Sequence, residues 1–305
     1  MTWLTTDSVK VARVYCFVAN GLFATGLFFS RICTSEPNTV NVIRGIGSLL
    51  GMICYSHLTG ESIVVGDWKK FDWIILRSVL SAIPPMLTVF VVQHIKISVF
   101  AISTRVEMVF VYLLGIKFMG NKFDWRIVIA GASCIFGVIL VIAPSLIGLG
   151  DPNSNTLELK WTASEIVGIA LLILWVVVDI AQILVSSKAM SMMTPTQAVF
   201  YLNLMITVDS SFGVIVTNGK MDFKVDEIPA YLCMVIFLIF AQLVISETFR
   251  VEKNLGVITV INCNYLVVTM ILDIVFLGTK VSFVNVVGSI LVACGSVMTV
   301  FIKGK

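Results

Sequence analysis

Phe118-Met119-Gly120-Asn121-Lys122 lies between two apolar runs, and Phe276-Leu277-Gly278-Thr279-Lys280 repeats it in the second half of the chain. In that register Thr104 falls opposite Asn262, Val111 opposite Thr269 and Gly137 opposite Gly295. Both copies sit in sequence that is almost continuously apolar. A duplicated helical membrane unit, with the substrate site between its halves, is a common build for secondary transporters. The repeat points to solute transport and away from a soluble enzyme.

Composition agrees. Of 305 residues, 58% are hydrophobic and 13% charged, against about 25% charged in a soluble chain. A core cannot absorb that much apolar surface, so lipid must be the solvent for much of it. The basic residues are dispersed at the ends of apolar runs, and no Lys/Arg cluster suggests nucleic acid. The seven cysteines are odd in number and contain no CxxC; they read as small hydrophobes in helices. The first apolar run, from Val9, is too long for a signal-peptide core and is read as a retained helix.

Ten spans are expected, near 9–30, 38–59, 71–93, 97–118, 124–147, 163–187, 194–217, 228–249, 254–277 and 281–302. Each has about 20 residues, the length of a helix crossing roughly 30 Å of hydrocarbon. Strands of a membrane barrel would alternate polar and apolar residues, and these runs do not. The longest loop, 148–162, carries the turn residues Asp151-Pro152-Asn153 and divides the chain into residues 1–147 and 163–305. The expected fold is therefore all-α and integral to the membrane: ten transmembrane helices as two five-helix repeats. An odd number per repeat makes the repeats inverted. With the N-terminus in the cytoplasm, inside segments hold twelve Lys/Arg and outside segments six. That bias places both termini inside.

Polar residues within spans mark the candidate site, because a mid-membrane charge is costly unless it meets a cavity or a partner. Trp175, Asp179, Gln182 and Ser186 share one face of the sixth span. Asp179 reads either as a cavity or proton-binding group or as an aspartate bonded to a neighbouring helix. Thr104 and Glu107 share a face of the fourth span. Arg105 points nearly opposite Glu107, so the two cannot simply pair. The ninth span carries Asn262, Tyr265, Thr269 and Asp273 in the same register. Arg44 begins a stripe with Ser48, Gly51 and Tyr55, and Asn203 shares a face with Thr207. The substrate-cavity set is thus Arg44, Thr104, Glu107, Trp175, Asp179, Gln182, Asn203, Asn262, Tyr265 and Thr269, with Asp179 and Glu107 as candidate proton sites. The competing reading of these stripes is hydrogen bonding between helices. Asn20, Gln93 and Gln242 read as such helix-helix contacts, while Arg13 and Arg77 are expected to snorkel from span ends. Pro84-Pro85 is expected to break the third helix.

No catalytic or metal-binding pattern stands out. His57 and His94 lack Cys or carboxylate partners at ligand spacing, and there is no G-x-S-x-G or Walker A motif. The chain is read as a non-enzyme without metal or cofactor. An intramembrane hydrolase or acyltransferase on Asp179 or Glu107 is the enzymatic alternative. Without a nucleotide-binding loop, transport would be driven by a gradient or by exchange.

Two five-helix halves, each ending in a Gly-x-Lys turn and a last helix with spaced glycines, resemble the drug/metabolite transporter superfamily, in its EamA-like branch. The residues carrying the likeness are Phe118 to Val141 with Gly131 and Gly137, Phe276 to Val300 with Gly288 and Gly295, Gly168 to Lys188 followed by Pro195, and Arg44. Asn121 and Thr279 stand where that family usually has Glu. The resemblance implies a multi-pass transporter of a small polar or amphipathic metabolite working by alternating access. The expected partners are a small-molecule substrate and the lipid bilayer, not nucleic acid, and a homodimer is left open. The contrasting class is a non-transporting membrane scaffold or assembly subunit on a transporter fold. The sequence names neither the substrate nor the membrane.

Overall fold

An uninterrupted apolar run in lipid must satisfy its backbone internally, and a helix does so within one segment. The structure, a computed structural model, describes residues 9–65, 68–94, 97–121, 123–146, 163–216, 219, 221–278 and 282–302, and every regular element among them is helical. The helices are α1 (Val9–Ile32), α2 (Pro37–Thr59), α3 (Trp68–His94), α4 (Ile97–Met119), α5 (Trp125–Leu146), α6 (Ala163–Ala189), α7 (Pro195–Val216), α8 (Ile228–Val251), α9 (Leu255–Asn262), α10 (Asn264–Leu277) and α11 (Phe283–Phe301). A 3₁₀ turn, Val225–Glu227, precedes α8. Among the described residues six helical stretches are long and apolar enough to cross a membrane, α9 and α10 counting as one stretch. The predicted loop 148–162 lies outside the described residues.

Local chemistry sets the ends. Pro37 and Pro195 open α2 and α7, where a missing N–H is no loss. Ser282 caps α11 by accepting from the Asn285 N–H at 3.3 Å. In the repeated motif, Gly120 and Gly278 follow α4 and α10 with φ of +68° and +62°. Both motif copies thus end a helix with the same left-handed turn, which glycine adopts without a Cβ clash.

Three expectations need correction. The ninth span is not one helix but α9 and α10. At the joint, the Cys263 N–H reaches back three residues to the Val260 carbonyl (3.2 Å), and the Leu266 N–H to the Cys263 carbonyl (3.1 Å). These tightened turns interrupt the regular α ladder. Side chains serve the local carbonyls: Ser296 donates to Val260 at 3.1 Å and Cys263 to Thr259 at 3.6 Å. Second, Pro84-Pro85 does not break the third helix; α3 runs through both prolines. The prolines leave the Leu80 and Ser81 carbonyls without their helical donors, a defect that membrane helices tolerate where neighbours support the turn; α6 docks beside it, with the Pro84 carbonyl accepting from Trp175 Nε1 (2.9 Å) as well as from Thr88 Oγ1 (2.8 Å). Third, Arg13 and Arg77 do not snorkel. They are 2% and 5% exposed, Arg13 held by Glu252 at 2.6 Å and Arg77 donating to the Ala198 carbonyl at 2.9 Å.

Helix α1 lies along α8, α3 along α6, α2 along α7 and α5 along α11. The α5–α11 approach needs glycine. A Cβ built on Gly137 would lie 2.6 Å from the Gly288 carbonyl oxygen, and one on Gly288 would meet the Val141 amide nitrogen at 2.7 Å. Ser133 Oγ crosses the same contact to the Leu291 carbonyl (3.1 Å), a pair separated by the 158 residues that also separate the two motifs. The largest apolar cluster joins α4, α5, α9 and α11 through Met108, Val111, Cys134, Ile258, Ile261 and Val292. It forms the floor on which the candidate site stands.

Candidate functional site

Helices α4, α6 and α9 touch one another, and their polar residues meet beside the α9–α10 joint. The carboxyl groups of Glu107 (α4) and Asp179 (α6) approach within hydrogen-bonding reach. Glu107 is buried, and its Oε2 has no hydrogen-bond partner among the described residues. Arg105, also buried, donates to the Tyr265 hydroxyl, with its Cζ 4.9 Å from the centre of that ring. Its charge acts on both carboxyls. Cys263, at the joint itself, lies against Met108 Sδ at 3.0 Å and beside Arg105. The result is a polar cluster of two carboxyls, one guanidinium and one phenol, with Glu107 and Arg105 buried and Asp179 and Tyr265 half-buried. Chemically it can hold a proton between the carboxyls and balance the remaining charge with Arg105.

Glu107 of α4, Asp179 of α6 and Tyr265 of α10 are therefore brought together. Arg105 belongs with them, although the sequence set it apart from Glu107. It reaches the cluster through Tyr265 rather than by pairing along α4. Cys263 was not anticipated; it reads in sequence as one more apolar helix residue, and no Pro or Gly announces the joint.

The other candidates go elsewhere. Asn262 turns to α1, its Oδ1 accepting from Asn20 Nδ2 at 3.0 Å and from Cys16 Sγ at 3.8 Å. Trp175 is fixed by Pro84 and by Thr88 (3.0 Å), with the Phe100 ring edge-on at 5.2 Å. The Thr269 hydroxyl is used within its own helix, on the Tyr265 carbonyl (2.7 Å). Asp273 pairs with Arg31 at 2.6 Å. Gln182 is half-buried and makes no hydrogen bond among the described residues. The side chain of Thr104 lies outside the described residues, as does that of Gln93. Asn203 donates to Gln242 Oε1 at 2.8 Å, linking α7 to α8. Arg44 faces the seam of α2, α7 and α8. A groove of about 280 Å³ runs between α3 and α7, lined by Val79, Ala82, Ile83, Met205, Val208, Asp209 and Phe212. None of Glu107, Asp179 and Asn262 lines it.

No curated protein matches the chain. A solved structure, described only as a crystal structure of a protein, superposes with a TM-score of 0.75 at 13% identity, covering 96% of this chain and 98% of that one. At that identity the likeness concerns the fold alone, and it extends over nearly the whole chain. Residues 11–143 match the model of the EamA-like transporter family. Together with the apolar helices, the match identifies an integral, multi-pass membrane protein with a transporter fold. Residues 11–143, somewhat less than half of the chain, are thus similar to the EamA-like branch of the drug/metabolite transporter superfamily.

Proposed function

We propose that this protein moves a small polar or amphipathic metabolite across a membrane by alternating access, and that Glu107 and Asp179 carry the coupling proton. The supporting observation is the carboxyl pair itself. Two acids in contact, with one arginine beside them and one carboxylate oxygen unpartnered, are a poor packing device. Ionised side by side in a low-dielectric seam they repel, whereas one shared proton relieves the repulsion. The pair stands beside the one joint in a long apolar stretch, where Cys263 interrupts the α ladder. Mid-helix turns of this kind serve as hinges. Loss or gain of the proton would change how tightly α4 and α6 are drawn together against that hinge.

The ten-span, two-repeat architecture belongs to the same proposal. Exchanging the halves carries α1·α8 onto α6·α3 and leaves α2·α7 and α5·α11 in place, which is the packing expected of paired repeats. The substrate cavity would lie between the halves, and both termini would face the cytoplasm.

The test uses purified protein in liposomes loaded with a pH-sensitive dye. Adding small metabolites outside should move protons inward with wild type. Asp179→Asn keeps the size and hydrogen bonding of the side chain but not its titration. It should lose the proton signal and retain solute exchange. Wild-type pH dependence in Asp179→Asn would remove Asp179 from the mechanism. No solute movement in either protein would favour the scaffold reading.

A further inference from the structure

The buried arginines among the described residues have partners, and the half-buried Arg44 does not. Arg13 pairs with Glu252, Arg77 with the Ala198 carbonyl and Arg105 with Tyr265. Arg44 makes no hydrogen bond and no ion pair among the described residues, although its Nε is sealed from solvent.

Its direction follows from the neighbours on α2. Gly45 abuts Thr207 of α7, while Gly47 and Gly51 abut Val235 and Ile239 of α8. Ile46, Leu50 and Ile53, on the far side, are exposed to the surroundings of the bundle. At 100° per residue, Arg44 and Ser48 fall on the stripe between the two contact lines, so they face the seam where α2, α7 and α8 meet. Two more unpartnered atoms lie in that seam. Ser48 is fully buried and its Oγ has no partner; Asn203 is fully buried and its Oδ1 has none. Gly45 against Thr207 on one side, and Met52 against Val199 on the other, bracket Ser48 and Asn203 at one level.

A half-buried guanidinium with its Nε sealed and no anion beside it is unfavourable in such a seam, and buried unpaired polar atoms call for a missing partner. The donors here define that partner. The planar fork of Arg44 fits two oxygens of a carboxylate or phosphate, and the Ser48 hydroxyl is a further donor. Asn203 Oδ1 is an acceptor, suited to a hydroxyl or amine next to the anionic group.

We propose that Arg44, with Ser48 and Asn203, binds the oxyanion of the transported molecule, so that the substrate is a small organic anion, either a carboxylate or a phosphate ester. This rests on the transport reading above for the word substrate, but the anion site can be tested without it.

In full-length protein lacking its native cysteines, Ser48→Cys is labelled with a negatively charged and with a positively charged methanethiosulfonate. The ratio of the two rates reports the local charge. Arg44→Gln should lower the ratio of anionic to cationic labelling by about tenfold or more, and Arg44→Lys, which keeps the charge, should largely preserve it. Millimolar succinate or inorganic phosphate should slow labelling when Arg44 is present. Protection by succinate alone assigns a carboxylate, and by phosphate alone a phosphate ester. A ratio unchanged in Arg44→Gln, a cysteine that neither reagent reaches, or protection by neither anion overturns the proposal. Thermal melting of each variant in detergent verifies that it is folded. If labelling behaves as expected while liposomes show no solute movement, the anion site stands and the transport reading falls.

Discussion

A buried ion pair is held in place by the damage its loss would do. Arg13 and Glu252 have side chains 3% and 6% exposed, with Arg13 Nε 2.6 Å from Glu252 Oε2. Arg13 also donates to the Ile302 carbonyl, and Glu252 Oε1 accepts from the Asn254 N–H at 2.8 Å. One arginine thereby ties the start of α1 to the α8–α9 connection and the end of α11. Removing one partner leaves a buried charge and should cost about 3–5 kcal/mol. Arg13→Met or Glu252→Leu alone should lower the melting temperature in detergent sharply, and the double variant should recover most of the loss. Single variants that melt with the wild type would mean that the charges rehydrate. Tyr265→Phe asks a related question at the polar cluster. It removes the hydroxyl that Arg105 donates to and should cost about 1.5–3 kcal/mol, the range for a hydrogen bond to a charged group. A loss within 0.5 kcal/mol, the usual range for surface changes, would mean that Arg105 turns wholly to the carboxyls. The sequence singled out Glu107, Asp179 and Tyr265 because charge and phenol are rare in lipid. It could not send Asn262 to Asn20, since an amide on a polar stripe looks the same whether it faces a ligand or a neighbouring helix. Nor could it tell a snorkelling Arg13 from a buried one, because the partner lies 239 residues away.

Helices in lipid gain little from apolar burial against one another, so close packing and small residues decide which faces meet. The α5–α11 contact depends on this. Of the three atoms nearest a Cβ on Gly288, two are backbone, the Gly137 carbonyl oxygen at 2.5 Å and the Val141 amide nitrogen at 2.7 Å. Backbone cannot turn aside as a side chain can. Gly288→Ala should therefore push α11 from α5 and cost about 1–3 kcal/mol, the range for overpacking, with Gly288→Leu worse. An alanine variant of wild-type stability would show that the two helices are further apart than described. The spaced glycines of both runs were visible in the sequence, but nothing there paired α5 with α11. The α9–α10 joint was not readable, because Asn262-Cys263-Asn264 contains neither Pro nor Gly and its irregularity comes from tertiary contacts: Ser296 on the Val260 carbonyl and Met108 against Cys263. Pro84-Pro85 misled in the other direction. A helix of soluble type would kink or break there, and α3 instead leans on Trp175 of α6. Local sequence carries the propensity for a break; the neighbouring helix decides whether one occurs.

At the scale of the molecule, the positions of the polar cluster follow the repeat. Arg105 and Glu107 stand in α4 where Cys263 and Tyr265 stand in the second half, in the register set by the two Gly-x-Lys motifs. Arg105 lies beside its equivalent Cys263, whereas Asp179 of α6 joins the cluster from outside that register; the proposed inverted halves would put a pseudo-two-fold axis between them. Such an axis lies in the membrane plane and has a consequence for orientation. On the proposed ten-span arrangement, five spans in the first half would place the 148–162 loop opposite the N-terminus, and five more would bring the C-terminus back to the N-terminal side. The proposed arrangement puts twelve Lys/Arg in the segments on the terminal side and six on the other, so the positive-inside rule would assign the cytoplasm to that side. Small tags at Met1, at Lys305 and within 148–162 make the arrangement measurable. Both terminal tags should be cleaved only after the membrane of the host cell is permeabilised, and the central tag should be cleaved in intact cells if the protein resides at the surface. In sealed vesicles of known orientation the same opposition should hold for an internal membrane. Terminal tags on opposite faces would require an odd number of spans. The repeats would then not be inverted, and the Glu107–Asp179–Tyr265 cluster would lie on no symmetry axis. The contact would be left to chance packing, and the hinge at Cys263 would have no counterpart motion in the first half.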